Sequence, residues 1–222
     1  MWTKKPDNIT VDITGRPLFI PVEEFKNICL SKRCFICGTS NSSSTFNDEH
    51  VFPRWLQKEL NLFTKTLTLP NQIKVKYGSY KIRCCKPCND ELGEKYERNV
   101  SNLIKNFKHG SNVNQEDNFL IFKWLALIFI KTHLRDRKNP NKLDRSNSDG
   151  YIADEYEWPL LHHAHAMVRS KLNDISCHPM TFGTFFTLPF KDPSASDLFD
   201  YSDNLFGQSI MLRCKNTCFL QC

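Results

Sequence analysis

No part of this 222-residue chain stays apolar for long enough to cross a bilayer. The longest run, Phe119 to Ile130, is broken by Lys123 and falls short of the roughly 20 residues a spanning helix needs. The opening residues, Met1-Trp2-Thr3-Lys4-Lys5-Pro6, lack the apolar core of a secretory signal, so a cytoplasmic protein with no membrane partner is expected. No internal repeat is visible, and the Ser-rich stretch at Thr39–Asn47 is too short to link two domains. Composition argues against disorder: 40% hydrophobic against 24% charged residues suits one globular domain, or a small module joined to a helical body.

The charge is unevenly placed. Residues 31 to 108 hold 14 Lys and Arg against 7 Asp and Glu, while the remainder holds 16 against 17. The whole basic excess therefore lies in one segment, which points to a polyanionic partner such as nucleic acid, or to an ordinary solvated surface.

Hydrophobic periodicity predicts an α+β chain. Residues 10 to 30 read as a strand or hairpin followed by a helical turn, making a lead-in over residues 1–30. In "QIKVKYGSYKIRCC", residues 72 to 85, alternation around Tyr77-Gly78-Ser79 predicts a β-hairpin with Ile73, Val75, Tyr80 and Ile82 inward. Lys74, Lys76, Lys81 and Arg83 then share the outer face, where they follow phosphates or merely keep the edge soluble.

Helical spacing continues from Asn89 to Lys108 with a break at Gly110, and again from Asn114 to about Lys138 as a central core helix. A third helix is expected over 153–173, despite Pro159, and then two antiparallel strands in "MTFGTFFTLPF" and "NLFGQSIMLRC". The predicted division is a lead-in, a module over 31–108, and a helical body with a small C-terminal antiparallel sheet over 109–222.

Ten cysteines in a chain without a signal segment read as metal ligands rather than disulfides when they come in CxxC pairs. Cys34 and Cys37 in "CFICG", with Cys85 and Cys88 in "CKPCN", supply four thiolates suited to a tetrahedral structural zinc. The ion would draw together the ends of the segment between them and act as a staple. Cys84 adjoins Cys85, and the two-residue gap to Cys88 favours Cys85 as the ligand.

Between the pairs lies "NDEHVFPRWL", an ionisable triplet running straight into apolar residues. The order "CFICG", "DEHVFPRWL", "CKPCNDELG", over about residues 33 to 97, resembles the HNH endonuclease family in its zinc-ribbon-bearing form. The resemblance implies a ββα-metal module in which Glu49 and Asn89 hold a divalent ion, His50 is the general base, and the substrate is nucleic acid, DNA by expectation. Arg54 would clamp a phosphate or stand as a plain exposed arginine, and Asp48 would supply a further oxygen or be solvated.

An extended strand points Glu49 and His50 to opposite sides, so one site for both requires a kink or a strand end. Val51, Phe52, Pro53 and Trp55 would then hold the triplet rigid. Two departures from the family pattern stand out. The middle asparagine is replaced at best by Asn71, 14 residues before Cys85, and Asn89 stands where a final histidine is usual. The HNH domain of the CRISPR nuclease also carries Asn there. Oxygen donors favour Mg²⁺ or Mn²⁺ over Zn²⁺ at that centre.

Other signals read as structure. The spacing of His162, His163 and His165 lacks the i, i+4 pair that ligation prefers, so partly exposed helix histidines are expected. Cys214, Cys218 and Cys222 read as frayed terminal thiols, and the aromatics from Phe182 to Phe190 as core packing. The rival to an enzyme is a zinc-ribbon module that grips nucleic acid without cutting it. HNH modules in bacterial or phage defence often sit beside a partner ATPase, which makes such a role a further expectation of the resemblance.

Overall fold

The apolar stretch beginning near Phe119 becomes the axis of the fold. Every residue from Ile121 to Thr132 is buried, on a helix running Gln115–Asp136. Its start is capped by the Asn114 side chain, which accepts the Asp117 amide at 2.8 Å. A helix apolar nearly all round must be enclosed, and the other elements enclose it. The structure, a computed structural model, describes residues 2–69, 71–107, 114–141, 150–189, 199–204 and 209–222. Among them no helix is long and apolar enough to cross a membrane.

In chain order, β1 (Trp2–Lys4), β2 (Thr10–Asp12) and β3 (Pro17–Phe19) form an antiparallel three-stranded sheet, and α1 (Val22–Leu30) follows. The lead-in is more ordered than a hairpin and a single helical turn, because Phe25, Ile28 and Cys29 of α1 are buried. Next come β4 (Phe46–His50), α2 (Arg54–Glu59), β5 (Thr66–Thr68), β6 (Lys74–Lys76) and β7 (Lys81–Cys85). The segment continues with α3 (Lys86–Leu92), a π-helical turn at Gly93–Glu97, and α4 (Arg98–Asn106). The axis is α5 (Gln115–Asp136); a 3₁₀ turn at Ile152–Glu155 precedes α6 (Trp158–Leu172), and β8 (Phe185–Pro189), β9 (Phe199–Asn204), β10 (Ser209–Cys214) and β11 (Thr217–Gln221) end the chain.

The expected hairpin over 72–85 does not form. β6 pairs with β5, matching Thr66 with Lys76, whereas β7 pairs with β4, matching His50 with Lys81. The cause is the 3₁₀ turn at Tyr77–Ser79, which sends Tyr77 and Tyr80 into the core rather than reversing the strand. Tyr80 is fully buried and its hydroxyl donates to Asp136 Oδ2 at 2.6 Å. Lys74 and Lys76 therefore lie on a different sheet from Lys81 and Arg83, and the four do not make one stripe.

Two further differences concern the ends. The helix expected from Asn89 begins at Lys86 and contains the π turn, while its expected break at Gly110 lies outside the described residues. The C-terminal part is a four-stranded antiparallel sheet in the order β8-β11-β10-β9, not a pair of strands. Its buried Ile210, Leu212 and Phe219 join one hydrophobic cluster that starts at Ile20 and takes in residues of the lead-in, the cysteine-bearing segment and the helical body.

Asp136 shows how this core treats charge. It accepts from Tyr80 and, at 3.1 Å, from Asn139 Nδ2, yet burial pushes its pKa up to about 6. A folded pKa above the ordinary value means stability that is complete below about pH 4 and is lost as pH rises through about 6. Asp136→Asn keeps an acceptor for Tyr80 without the ionisation. The variant is expected to gain on the wild type, by up to about 3 kcal/mol, between pH 4 and 7 in paired denaturant titrations; a pH-independent difference would refute this.

Candidate metal and catalytic centre

The first CxxC pair sits in a tight turn directly after α1. Gly38 N donates to the Cys34 carbonyl at 2.8 Å, and Cys34 N donates to the Thr39 carbonyl at 2.8 Å. Gly38 has φ +77°, and a Cβ there would meet Ile28 Cδ1 at 2.8 Å, so the turn requires glycine on both counts. The turn is held from behind by α6: His165 Nε2 donates to the Phe35 carbonyl at 2.9 Å, and Arg169 donates to the carbonyls of Ile36 and Pro17.

His165 is thus a buried structural residue at 1% exposure, not the partly exposed histidine expected. Burial and the neighbouring Arg169 charge hold its pKa well down, so it packs uncharged. His162 binds the Ile20 carbonyl at 2.7 Å.

The second pair straddles a strand-to-helix junction. Cys85 closes β7 and flanks the start of α3, Pro87 occupies the first turn, and Cys88 follows within that turn. Lys86 N donates to the Thr45 carbonyl at 2.8 Å, which fixes the junction to the strand opposite.

The ligand sulfurs of Cys34, Cys37, Cys85 and Cys88 all lie within 4.8 Å of one another, and Cys37 and Cys85 are 3.7 Å apart. A tetrahedral zinc with bonds of about 2.3 Å calls for sulfur separations of roughly 3.8 Å. The four cysteines could therefore hold such an ion. Cys84 Sγ touches Cys34 Sγ at 3.7 Å but is not in the mutually close set. This is the one such cluster among the described residues. All ten cysteines are unbridged, and Cys214 and Cys218 are buried in strands rather than frayed.

The strand pair β4–β7 and helix α3 carry the rest of the centre. β4 ends at His50, and the chain then bends through Val51 and Phe52, both fully buried. Phe52 packs against the rings of Tyr77, Tyr80, Phe199 and Tyr201, and its carbonyl accepts from Gln57 Nε2 at 2.7 Å. The strand end lets Glu49 and His50 serve one cleft, and the apolar residues after them fix where it ends. That polar cleft, about 710 Å³, is walled by Glu49, His50 and Asn89, with Asp48, Arg54, Arg83 and Glu97 completing it. Lys74 and Lys76 do not line it, and Asn71 orients its own loop by accepting Ile73 N at 3.2 Å.

Sequence reasoning missed two members. Lys131, fully buried on α5, donates from Nζ to Glu49 Oε1 and to the His50 carbonyl, both at 2.7 Å. Its sequence signal is a charge close to the apolar stretch of α5, and Lys123 carries the same signal. Glu97 reaches the cleft because of the π turn. Two turns of ideal helix take about 7.2 residues, whereas Asn89 and Glu97 are eight apart. A π turn takes up one extra residue, which brings both to the same face.

The electrostatics follow from this packing. Burial, reinforced by hydrogen bonding to Glu49 and by that group's charge, pushes the Glu97 pKa up to about 7 against the opposing pull of Lys131. The His50 pKa is lowered by burial and then by the charge of Lys81, with Glu49 opposing. Its imidazole is accordingly uncharged at neutral pH and able to take a proton. Comparison of the chain with protein-family models, with curated proteins and with solved structures gives no match.

The sulfur geometry separates the two adjacent cysteines. Cobalt(II) substitution of wild type and of Cys84→Ala is expected to give one tetrathiolate spectrum per chain, which Cys85→Ala and Cys88→Ala lose. Chelating the ion should lower the thermal midpoint by roughly 10 °C or more, since binding energy is folding energy. Equal spectra from the Cys84 and Cys85 variants would overturn the assignment.

Proposed function

We propose that this protein is a metal-dependent endonuclease of the HNH type, a ββα-metal module that hydrolyses phosphodiester bonds in DNA. The observation that carries the reading is the convergence of Glu49, His50, Asn89 and Glu97 on one polar cleft beside β4, β7 and α3. The resemblance in residues 33 to 97 supports it, as does a cysteine cluster that could anchor the Phe46–Cys85 end of the strand pair.

Each residue has a role set by its chemistry. Glu49, Glu97 and the Asn89 side-chain carbonyl are hard oxygen donors of the kind Mg²⁺ or Mn²⁺ prefers. The bound ion would supply positive charge against that developing on the scissile phosphate and the leaving oxygen. Lys131 fixes the Glu49 carboxylate through Oε1.

His50 takes the proton of the attacking water on its unprotonated ring nitrogen. The hold on its backbone carbonyl by Lys131 and the bend at Val51 restrict where that ring can lie. Arg54 and Arg83 line the same cleft and are placed to grip phosphate oxygens. Service in bacterial or phage defence beside a partner ATPase rests on the resemblance alone.

Plasmid nicking across Mg²⁺, Mn²⁺, Ni²⁺ and Zn²⁺ tests the proposal. His50→Ala should slow cleavage at saturating metal by about 100-fold or more, the usual contribution of a positioned base. Glu97→Gln should instead raise the metal concentration needed for half-maximal rate by about tenfold or more. Undiminished nicking by His50→Ala would sink the assignment of the base. Salt-dependent DNA binding with no cleavage under any of the four ions would leave a non-catalytic zinc-ribbon binding module.

A further inference from the structure

The cleft just described is rich in acids, but one of its walls opens onto ground of opposite character. Arg83 lines both it and a second cleft of about 340 Å³, formed where the loop after α1, strand β7 and the end of α5 converge. Lys32, Lys81, Arg83, Arg135 and Lys138 all face this second space, and no carboxylate lines it. Arg33 and Arg137 are there too, the first paired with Glu24 at 2.6 Å and the second donating to the Leu134 carbonyl.

The others are held without being neutralised. The Arg83 guanidinium sits over the Phe46 ring at 5.5 Å and that of Arg135 over the Tyr80 ring at 5.8 Å. An aromatic face orients a cation without cancelling its charge. Lys32, Lys81 and Lys138 have no carboxylate within ion-pair distance among the described residues.

A helix C-terminus attracts cations, which accounts for Arg135, Arg137 and Lys138. It does not account for Lys32, Lys81 and Arg83, which arrive from two other elements. Gathering like charges in a concave site costs energy unless an anion shares it, and the shared wall at Arg83 says which anion. Lys81 stands opposite His50 in the strand register, and Arg83 opposite Asp48. Lys81 and Arg83, two residues apart on β7, face the same side of that strand pair.

We propose that this basic cleft seats the sugar-phosphate backbone of a DNA strand leaving the cleft that holds His50, with Arg83 passing it from one to the other. The proposal rests on the nuclease reading for the identity of the ligand, but its test does not depend on cleavage.

The measurement is fluorescence anisotropy of a labelled DNA duplex with the full-length His50→Ala chain, without chelator, over a salt series. Lys32 and Lys138 are exposed, so their truncation does not threaten the fold. Adding Lys32→Ala and Lys138→Ala should weaken binding by about tenfold at moderate salt. It should also reduce the slope of log K against log salt by about 2, because each phosphate contact contributes roughly 0.9. A Lys4→Ala, Lys5→Ala pair on the exposed lead-in removes the same charge and should change neither quantity comparably.

Binding by the Lys32, Lys138 variant equal to that of the Lys4, Lys5 control would overturn the proposal, even if the wild type cuts DNA. Loss of binding confined to the Lys32, Lys138 variant would uphold it, even if the wild type cuts nothing.

Discussion

A single buried ammonium joins the core of this protein to its cleft. Lys131 is fully enclosed on the central helix, and its two protein partners are a carboxylate and a backbone carbonyl from consecutive residues of β4. Leaving such a charge unpaired costs about 3–5 kcal/mol, so the end of β4 is tied to one place along α5. The pairing of β4 with β7, the start of α3 and the mouth of the cleft all follow from where that strand ends. In the same region burial pushes the Glu97 pKa up to about 7.

The two halves of the centre are organised by different forces. Sulfur clustering brings the turn after α1 to the β7–α3 junction, and α6 braces that turn through His165 and Arg169. Packing of Val51 and Phe52 beneath the cleft instead fixes the strand end from the apolar side. The ionisable triplet thus lies against greasy residues for a mechanical reason. Its side chains point where they do because the backbone immediately after them has nowhere else to go.

Much of this was legible in the chain because it is written in local pattern. The Asn114 cap and the extent of α5 follow from a capping residue and an apolar run interrupted only by Lys123, and the cysteine pairs from spacing alone. What was hidden depends on contacts between distant residues. Alternation over 72–85 was real, but it could not reveal that Tyr80 is drawn in by Asp136, 56 residues away, so that the strand splits between two partners. Lys131 gave no local sign of its role because its partner lies 82 residues earlier. Glu97 would lie roughly 80° round a regular α-helix from Asn89, and the π turn closes that gap.

If the proposed nuclease reading holds, the strand pair β4–β7 also separates the two charges that a phosphodiester site must reconcile. Carboxylates are needed near the bond to be cut, yet they repel the very backbone that carries it. Cross-strand register offers a way out, since residues directly opposite in an antiparallel pair share a face. Asp48 meets Arg83 and His50 meets Lys81 on successive same-side rungs, so these two residues of β4 have a cation beside them on β7, while Glu49, opposite Ile82, takes its cation from α5. The acids collect toward α3, where Asn89 and Glu97 wait, and the cations collect toward α1 and the end of α5. On the proposed reading, a nucleic-acid strand would meet the cations before the carboxylates, with no moving part required, only a ladder whose two strands carry opposite charge.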